Sequence, residues 1–200
     1  RVVILVNGSP YALILPSVLI DFIKSPDDRN LKPSFANFVL AIRLLGAAIT
    51  LLLPGIYISV TSFHQVYLPT DLLFSIIASR QNVPFPTIVE ILIMEISFEL
   101  IREAGLRVPS PIGPTIGIVG AIIIGQAAVS AGIVSPILII IVAITGIASF
   151  TIPDYSFGFH LRLYRFIFTF LGYMAGSLGI ALGIFAYLSV LCNIKSFGVP

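Results

Sequence analysis

The chain has 200 residues, of which 58% are hydrophobic and 10% charged, with a mean hydropathy of +1.09. Ordinary soluble domains carry about 25% charged residues, so this composition excludes a well-solvated soluble domain and intrinsic disorder alike. The net charge of +2 gives no basic field for nucleic acid, and the lone Cys192 permits no internal disulfide. Cys192 reads as a buried apolar residue.

Taken from the start, Val2–Val6 and Tyr11–Leu15 flank Asn7-Gly8 and predict a β-hairpin over residues 1–16. Two strands alone are marginal, so the hairpin reads as the end of a truncated soluble domain. The opening Arg1, with no Met and no signal-peptide pattern, predicts an internal fragment of a longer protein. Residues 21–37 hold Asp21, Lys24, Asp27, Asp28, Arg29 and Lys32 with two prolines, a polar linker. The predicted domains are therefore 1–37 (end of a cytosolic domain and linker), 38–195 (transmembrane domain) and 196–200 (start of a tail).

Val39–Val60 is apolar and long enough for a ~30 Å hydrocarbon layer. Arg43 near its start can snorkel, and Pro54-Gly55 should kink it. The run Val108–Pro153 has no formal charge and fits helices at 112–131 and 136–152, broken at Gly132-Ile133-Val134-Ser135-Pro136. Phe166–Leu191 is a further uncharged span, with Tyr155, Tyr164 and Tyr187 suited to the membrane interface. Residues 71–81 and 84–104 are apolar and helical but charged, and read as a broken, re-entrant or interfacial segment. The fold class predicted is an all-α membrane protein: a polytopic helical bundle of four clear spans plus that segment. One crossing by 61–111 gives five in all and places Lys24, Arg29, Lys32, Arg43, Arg102, Arg107, Arg162 and Arg165 on the N-terminal side, with only Lys195 opposite. Re-entry gives four crossings and erases the bias. The positive-inside rule favours five, with a cytoplasmic N-terminus.

Phosphate-loop, nucleophile-elbow, zinc-protease and dinucleotide motifs are all lacking, and no Cys/His cluster has metal spacing. His64 and His160 stand without a motif and read as interface histidines. The sequence thus predicts neither an enzyme nor a cofactor.

Three patterns carry information. Gly172, Gly176, Gly179 and Gly183, with Ala186, share one helical face; Gly113, Gly117, Ala121, Gly125 and Ala128 form a second stripe. Small residues let helices approach closely in lipid, within one bundle or between subunits. Opposite the second stripe lie Thr115, Val119, Ile122, Gln126 and Val129, a lipid- or core-facing surface or the lining of a pore with an apolar constriction. Finally, Glu95, Glu99, Arg102 and Glu103 share a face, and Glu90 points elsewhere. Intramembrane charges pair or line a wet path. Two readings stand: a network joining Glu99 and Glu103 to Arg102 or Arg80, and a cation-attracting vestibule.

The segments Thr61-Ser62-Phe63-His64, Ile76–Pro86, Val89–Gly105, Pro111-Ile112-Gly113, Ile124–Val129 and Ser196–Pro200 together resemble the membrane domain of GerA-family A subunits, which are spore germination proteins. The resemblance covers nearly the whole chain. It implies a multi-pass protein of the spore inner membrane, working with a transporter-like B subunit and a lipoprotein C subunit in a nutrient receptor. It further implies a homo-oligomeric ring, a pentamer, that conducts cations when nutrient binds. A paralogue, stage V sporulation protein AF, shares the architecture. A solute transporter and a non-conducting scaffold are the competing functions.

Overall fold

The structure is a computed structural model describing residues 2–8, 12–107 and 113–196, without the side chains of residues 13, 106–107, 113–119 and 121–122. It is mainly helical, with one small antiparallel sheet. Strands β1 (Val2–Leu5) and β2 (Ala12–Leu15) pair with Leu5 opposite Ala12. The turn at Asn7-Gly8 uses φ +87° at Gly8, but it sits inside a six-residue connection, longer than the two-residue turn that Asn-Gly favours.

A short helix, α1 (Leu19–Ile23), and a 3-10 turn (Pro26–Asn30) lead into α2 (Pro33–Ser62). Pro33 opens α2 because the first helical turn needs no N–H donor. The helix starts six residues earlier than the apolar run and continues through Pro54. Then come α3 (Thr70–Arg80) and α4 (Thr87–Arg107), separated by Pro84 and Pro86. The ambiguous segment is thus a short helix followed by one of full length. Helix α5 (Gly113–Ser130) and α6 (Pro136–Ser149) meet at the predicted break, where Gly132 takes φ +67°. Helix α7 covers Tyr155–Asn193, with Asp154 capping its start by accepting from the Phe157 N–H at 2.7 Å.

Reading 166–191 as one straight span needs correction. Gly176 has φ +59° and ψ −139°, outside any helix. Beyond it the chain doubles back: Tyr187 packs on Tyr164 (ring centroids 5.0 Å), Phe168 (6.2 Å) and His160 (6.4 Å). Residues 155–175 and 177–193 are therefore antiparallel legs of one hairpin. Tyr164 and Tyr187, expected near opposite ends of a span, pack together.

Contacts fix the direction of the other helices. Gly55 of α2 meets Phe168 and Gly172, and Phe63 meets Gly176, so α2 runs parallel to the first leg of α7. Helix α6 runs the other way, with Val134 in one core cluster with Tyr57 and Ala148 beside Gly46. Helix α4 parallels α6, since Glu90 reaches Ser135 and Phe98 reaches Gly146. Tyr57, Ile58, Ile91, Met94, Leu138 and Val142 form the core at one end, and Leu51, Leu161, Phe168 and Ile180 form the core between α2 and α7. Buried Thr50, Thr61, Thr145 and Thr169 each donate to a carbonyl one turn back, at 2.7–2.9 Å. That bond lets a hydroxyl sit in an apolar helix without an orphaned donor. Cys192 is exposed, against the buried position expected: it lies near the end of the outer leg, where little packs over it.

Candidate functional site

The charges of α4 sort onto two faces. Glu90, fully buried, accepts from the Ser135 backbone N–H at 3.1 Å and lies 3.2 Å from Arg80 Nη2. Twelve residues on, Arg102 donates to Ser149 Oγ at 2.7 Å and to the Gly146 carbonyl at 3.5 Å. Ser135 and Ser149 are the two ends of α6. A carboxylate therefore sits at the positive N-terminus of α6 and a guanidinium at its negative C-terminus, the favourable arrangement for a helix dipole. At 1.5 Å per residue, the spacing of Glu90 and Arg102 is about 18 Å and α6 is about 21 Å long. The sequence of α4 is thus matched to the length of its neighbour.

The second face joins α4 to the first leg of α7. Glu99 Oε1 accepts from Arg162 Nε at 2.8 Å. Its Oε2 accepts from Arg102 Nη1 at 3.2 Å and lies 3.8 Å from Arg165 Nη2. Arg165 Nε lies 3.2 Å from Glu95 Oε1, and both side chains are almost wholly enclosed, at 3% and 1% exposure. Two carboxylates and three guanidiniums thus form one continuous network. Rings cover it: Phe150 lies over Arg102 at 4.7 Å and Phe166 over Arg165 at 5.4 Å, positions where an aromatic face attracts a cation.

Of the expected charge cluster, the structure brings Glu95, Glu99 and Arg102 together and puts Glu90 elsewhere. Arg80 pairs with Glu90, not with Glu99 or Glu103. Glu103 is exposed beside the network. Arg162 and Arg165, its other half, figure in the sequence only among the positive charges assigned to the N-terminal side. Their signal was legible: two arginines three residues apart in a helical, ring-rich run, which places both on one face.

Gly55, Gly172, Gly179 and Gly183 are close-contact positions, although the reversal at Gly176 means that the last three do not form one continuous face. Gly172 packs on the Gly55 carbonyl of α2, while Gly179 and Gly183 pack the second leg on Leu171 of the first. Gly125 is buried against Ile139. Gln126 is exposed and Val129 half-buried. Gly113, Gly117, Thr115, Val119 and Ile122 lie outside the described side chains. Among the described residues, no cluster of His, Cys, Asp and Glu is placed to hold a metal.

A third polar contact ties the linker to the helices. Arg43, on α2, donates to the Ile23 carbonyl at 3.3 Å and forks onto Asp28, with Nη2 to Oδ1 at 3.0 Å. Asp28 also accepts from the Ser25 N–H at 2.9 Å. The Arg43 guanidinium, with that N–H, holds the Asp28 carboxyl below the usual aspartate range. A carboxyl lowered in this way contributes stability above its unfolded-state pKa, which is lost as pH falls through the folded value. The clamp is therefore intact at neutral pH and opens only in strong acid. Asp28→Asn should speed amide exchange over residues 24–31 at pH 7 and leave α7 unchanged, as read by hydrogen–deuterium exchange of the full-length protein.

Taken together, these features define a class: a mainly helical, strongly apolar protein whose buried charges, Glu90, Glu95, Arg162 and Arg165, pair between helices, and whose α2 and α7 carry apolar stretches long enough to cross a membrane. All 200 residues match the family described as Bacillus/Clostridium GerA spore germination protein, and the chain belongs to that family. It is 46% identical over 200 residues to spore germination protein KA of Bacillus subtilis (strain 168), covering 100% of the chain and 37% of that protein. Spore germination protein B1 of the same organism is 49% identical over 203 residues, covering 99% of the chain and 41% of the relative. An uncharacterized membrane protein of that organism, YfkQ, is 42% identical over 200 residues, covering 100% of the chain and 39% of the relative. The chain thus spans about two fifths of the length of these curated relatives. No solved structure matches it.

Proposed function

We propose that this chain is the membrane-embedded part of a germinant-receptor A subunit, which forms an oligomeric gated cation channel in the spore inner membrane. It works there beside a transporter-like B subunit and a lipoprotein C subunit. The observation that carries the reading is the ion-pair network: charges turned inward while the outer faces carry Leu178, Leu182 and Phe185 at 68–73% exposure. Such an inside-out distribution suits lipid as solvent. Residues 38–195 are read as the membrane domain, 1–37 as the end of a cytosolic domain with its linker, and 196–200 as the start of a tail.

The reversal at Gly176 changes the expected count. Helices α2, α4, α5, α6 and the two legs of α7 alternate in direction and make six legs, an even number. Lys24, Arg29, Lys32, Arg43, Arg102, Arg107, Arg162, Arg165 and Lys195 then belong to the end that holds the N-terminus, and Arg80 to the other. Lys195, the exception under five crossings, joins the majority. The positive-inside rule makes that end cytoplasmic.

For the conducting path, Thr115, Val119, Ile122, Gln126 and Val129 of α5 remain the candidate lining, with Val119 and Ile122 as the constriction. Shrinking an apolar constriction wets it. Val119→Ala or Ile122→Ala in the full-length protein should make dormant spores leak potassium without nutrient, while Ile137→Ala should not. Wild-type potassium release in both α5 variants, at normal protein level, removes α5 as the pore helix. A transporter would carry paired broken helices near the midplane. The break at Gly176 instead lies at one end of the legs, against Phe63 and His64.

A further inference from the structure

Four buried polar atoms that find no hydrogen-bond partner among the described residues lie at one junction. They are Tyr57 Oη of α2, Arg80 Nε of α3, Glu90 Oε1 of α4 and Ser135 Oγ at the start of α6. Glu90 and Ser135 are fully enclosed, and Tyr57 is 8% exposed. The contacts among them are near misses. Arg80 Nη2 stands 3.2 Å from Glu90 Oε1 without the alignment of a hydrogen bond. The Tyr57 hydroxyl comes up to the Ser135 side chain, in the field of Arg80 and Glu90, again without forming a hydrogen bond. The other oxygen of Glu90, Oε2, already accepts from the Ser135 N–H. The Ser135 hydroxyl makes no capping bond to α6, the ordinary use of a serine at that position.

Orphaned polar groups in an enclosed site are costly, and four at one junction point to a ligand that pairs with them all. Their chemistry defines it. Arg80 Nε–H can only donate, the Glu90 carboxylate oxygen accepts, and the two hydroxyls do either. The ligand must therefore both donate and accept. It must be neutral, because Arg80 and Glu90 already cancel and an added ion would bring an uncompensated charge into an enclosed site. It must also be small enough to sit between four helix ends. Water meets all three conditions, and a buried water typically makes about three hydrogen bonds to groups of this kind. A cleft of about 340 Å³, lined by Arg80 together with Thr61, Gln65 and Gln81, gives the way in.

We propose that Tyr57, Arg80, Glu90 and Ser135 hold an ordered water molecule where α2, α3, α4 and α6 meet. The water accepts from Arg80 Nε–H and the Tyr57 hydroxyl, and donates to Glu90 Oε1 and Ser135 Oγ. It thereby ties the short helix α3 to the three longer helices, a link that the direct contacts leave incomplete. The site stands independently of the channel reading, which its failure would leave untouched.

The test is microsecond X-ray hydroxyl-radical labelling of the full-length protein in detergent, read by mass spectrometry. Radicals form from water wherever it sits, so a side chain beside a held water is hydroxylated despite its burial. With rates corrected for side-chain reactivity, Tyr57 should be labelled about ten-fold faster than Met94 and Phe168, which are 1% exposed and packed in the apolar cores. A brief mix with heavy-oxygen water before the pulse separates a held water from bulk solvent. Heavy oxygen should reach the label on Tyr57 later than the label on Tyr67, which is 73% exposed. Ser135→Val, which puts methyl groups in place of the hydroxyl, should slow Tyr57 labelling about ten-fold. Tyr57 labelled no faster than Met94 means a dry junction and overturns the proposal. Heavy oxygen arriving at Tyr57 as fast as at Tyr67 means bulk solvent and overturns it too, as does unchanged Tyr57 labelling in folded Ser135→Val. If that variant fails to fold, the wild-type rates decide alone.

Discussion

Replacing Arg165 by Met should be the most damaging single change in the charge network. The substitution keeps an unbranched side chain of similar length and removes the charge, leaving Glu95 at 1% exposure with no partner. Breaking one member of a buried pair typically costs about 3–5 kcal/mol. The full-length Arg165→Met variant should melt well below wild type in detergent and accumulate poorly in spores. Adding Glu95→Leu should recover most of the loss, because a buried pair exchanged for apolar residues of similar volume is often neutral or better. A double variant as unstable as Arg165→Met refutes a private pairing of Glu95 with Arg165. The same double variant also separates structure from conduction. Restored melting with germination at the wild-type rate makes the pair a strut between α4 and α7; restored melting with no germination makes its charges part of the response.

How far this site could be read in advance follows from which links are local. The face shared by Glu95, Glu99 and Arg102 is set by helical spacing alone, and it was legible. So were the ends of α5 and α6, marked by Gly132, Ser135 and Pro136, and the separation of α3 from α4 by Pro84 and Pro86. Partner choice is not local. Arg80 is drawn to Glu90 because α3 folds against the end where α4 and α6 begin, and nothing within residues 71–104 says so. Arg162 and Arg165 escape the predicted span because the uncharged window starts at Phe166, beyond them, whereas α7 starts eleven residues earlier, at Tyr155, capped by Asp154. An uncharged window is a criterion for lipid contact, and these arginines face protein.

The reversal at Gly176 was hidden by the glycines that make it possible. Gly172, Gly176, Gly179 and Gly183 fall on one face of an ideal helix, so they read as a stripe for packing. In the structure, a Cβ at Gly179 would stand 2.3 Å from the Leu171 carbonyl oxygen, and one at Gly172 would stand 2.5 Å from the Gly55 carbonyl oxygen. Both obstacles are backbone and cannot rotate away. Gly176 itself holds φ +59° with ψ −139°, a conformation open essentially to glycine alone. Gly179→Leu should therefore open the hairpin and disrupt assembly, and Gly176→Leu should do the same through backbone strain. Even Gly179→Ala should cost about 1–3 kcal/mol by overpacking. Leu182→Phe, at a position 68% exposed, should be mild. Geometry supplies an independent check. In a straight helix His160 and Tyr187 would lie about 40 Å apart at 1.5 Å per residue, whereas their ring centroids are 6.4 Å apart. With Cys192→Ser as background, the pair His160→Cys and Tyr187→Cys should form an intramolecular disulfide under mild oxidation in detergent, and adding Gly179→Leu should suppress it. A disulfide in the parent pair excludes the straight helix, in which the two positions lie far beyond disulfide reach, and with it an odd number of crossings.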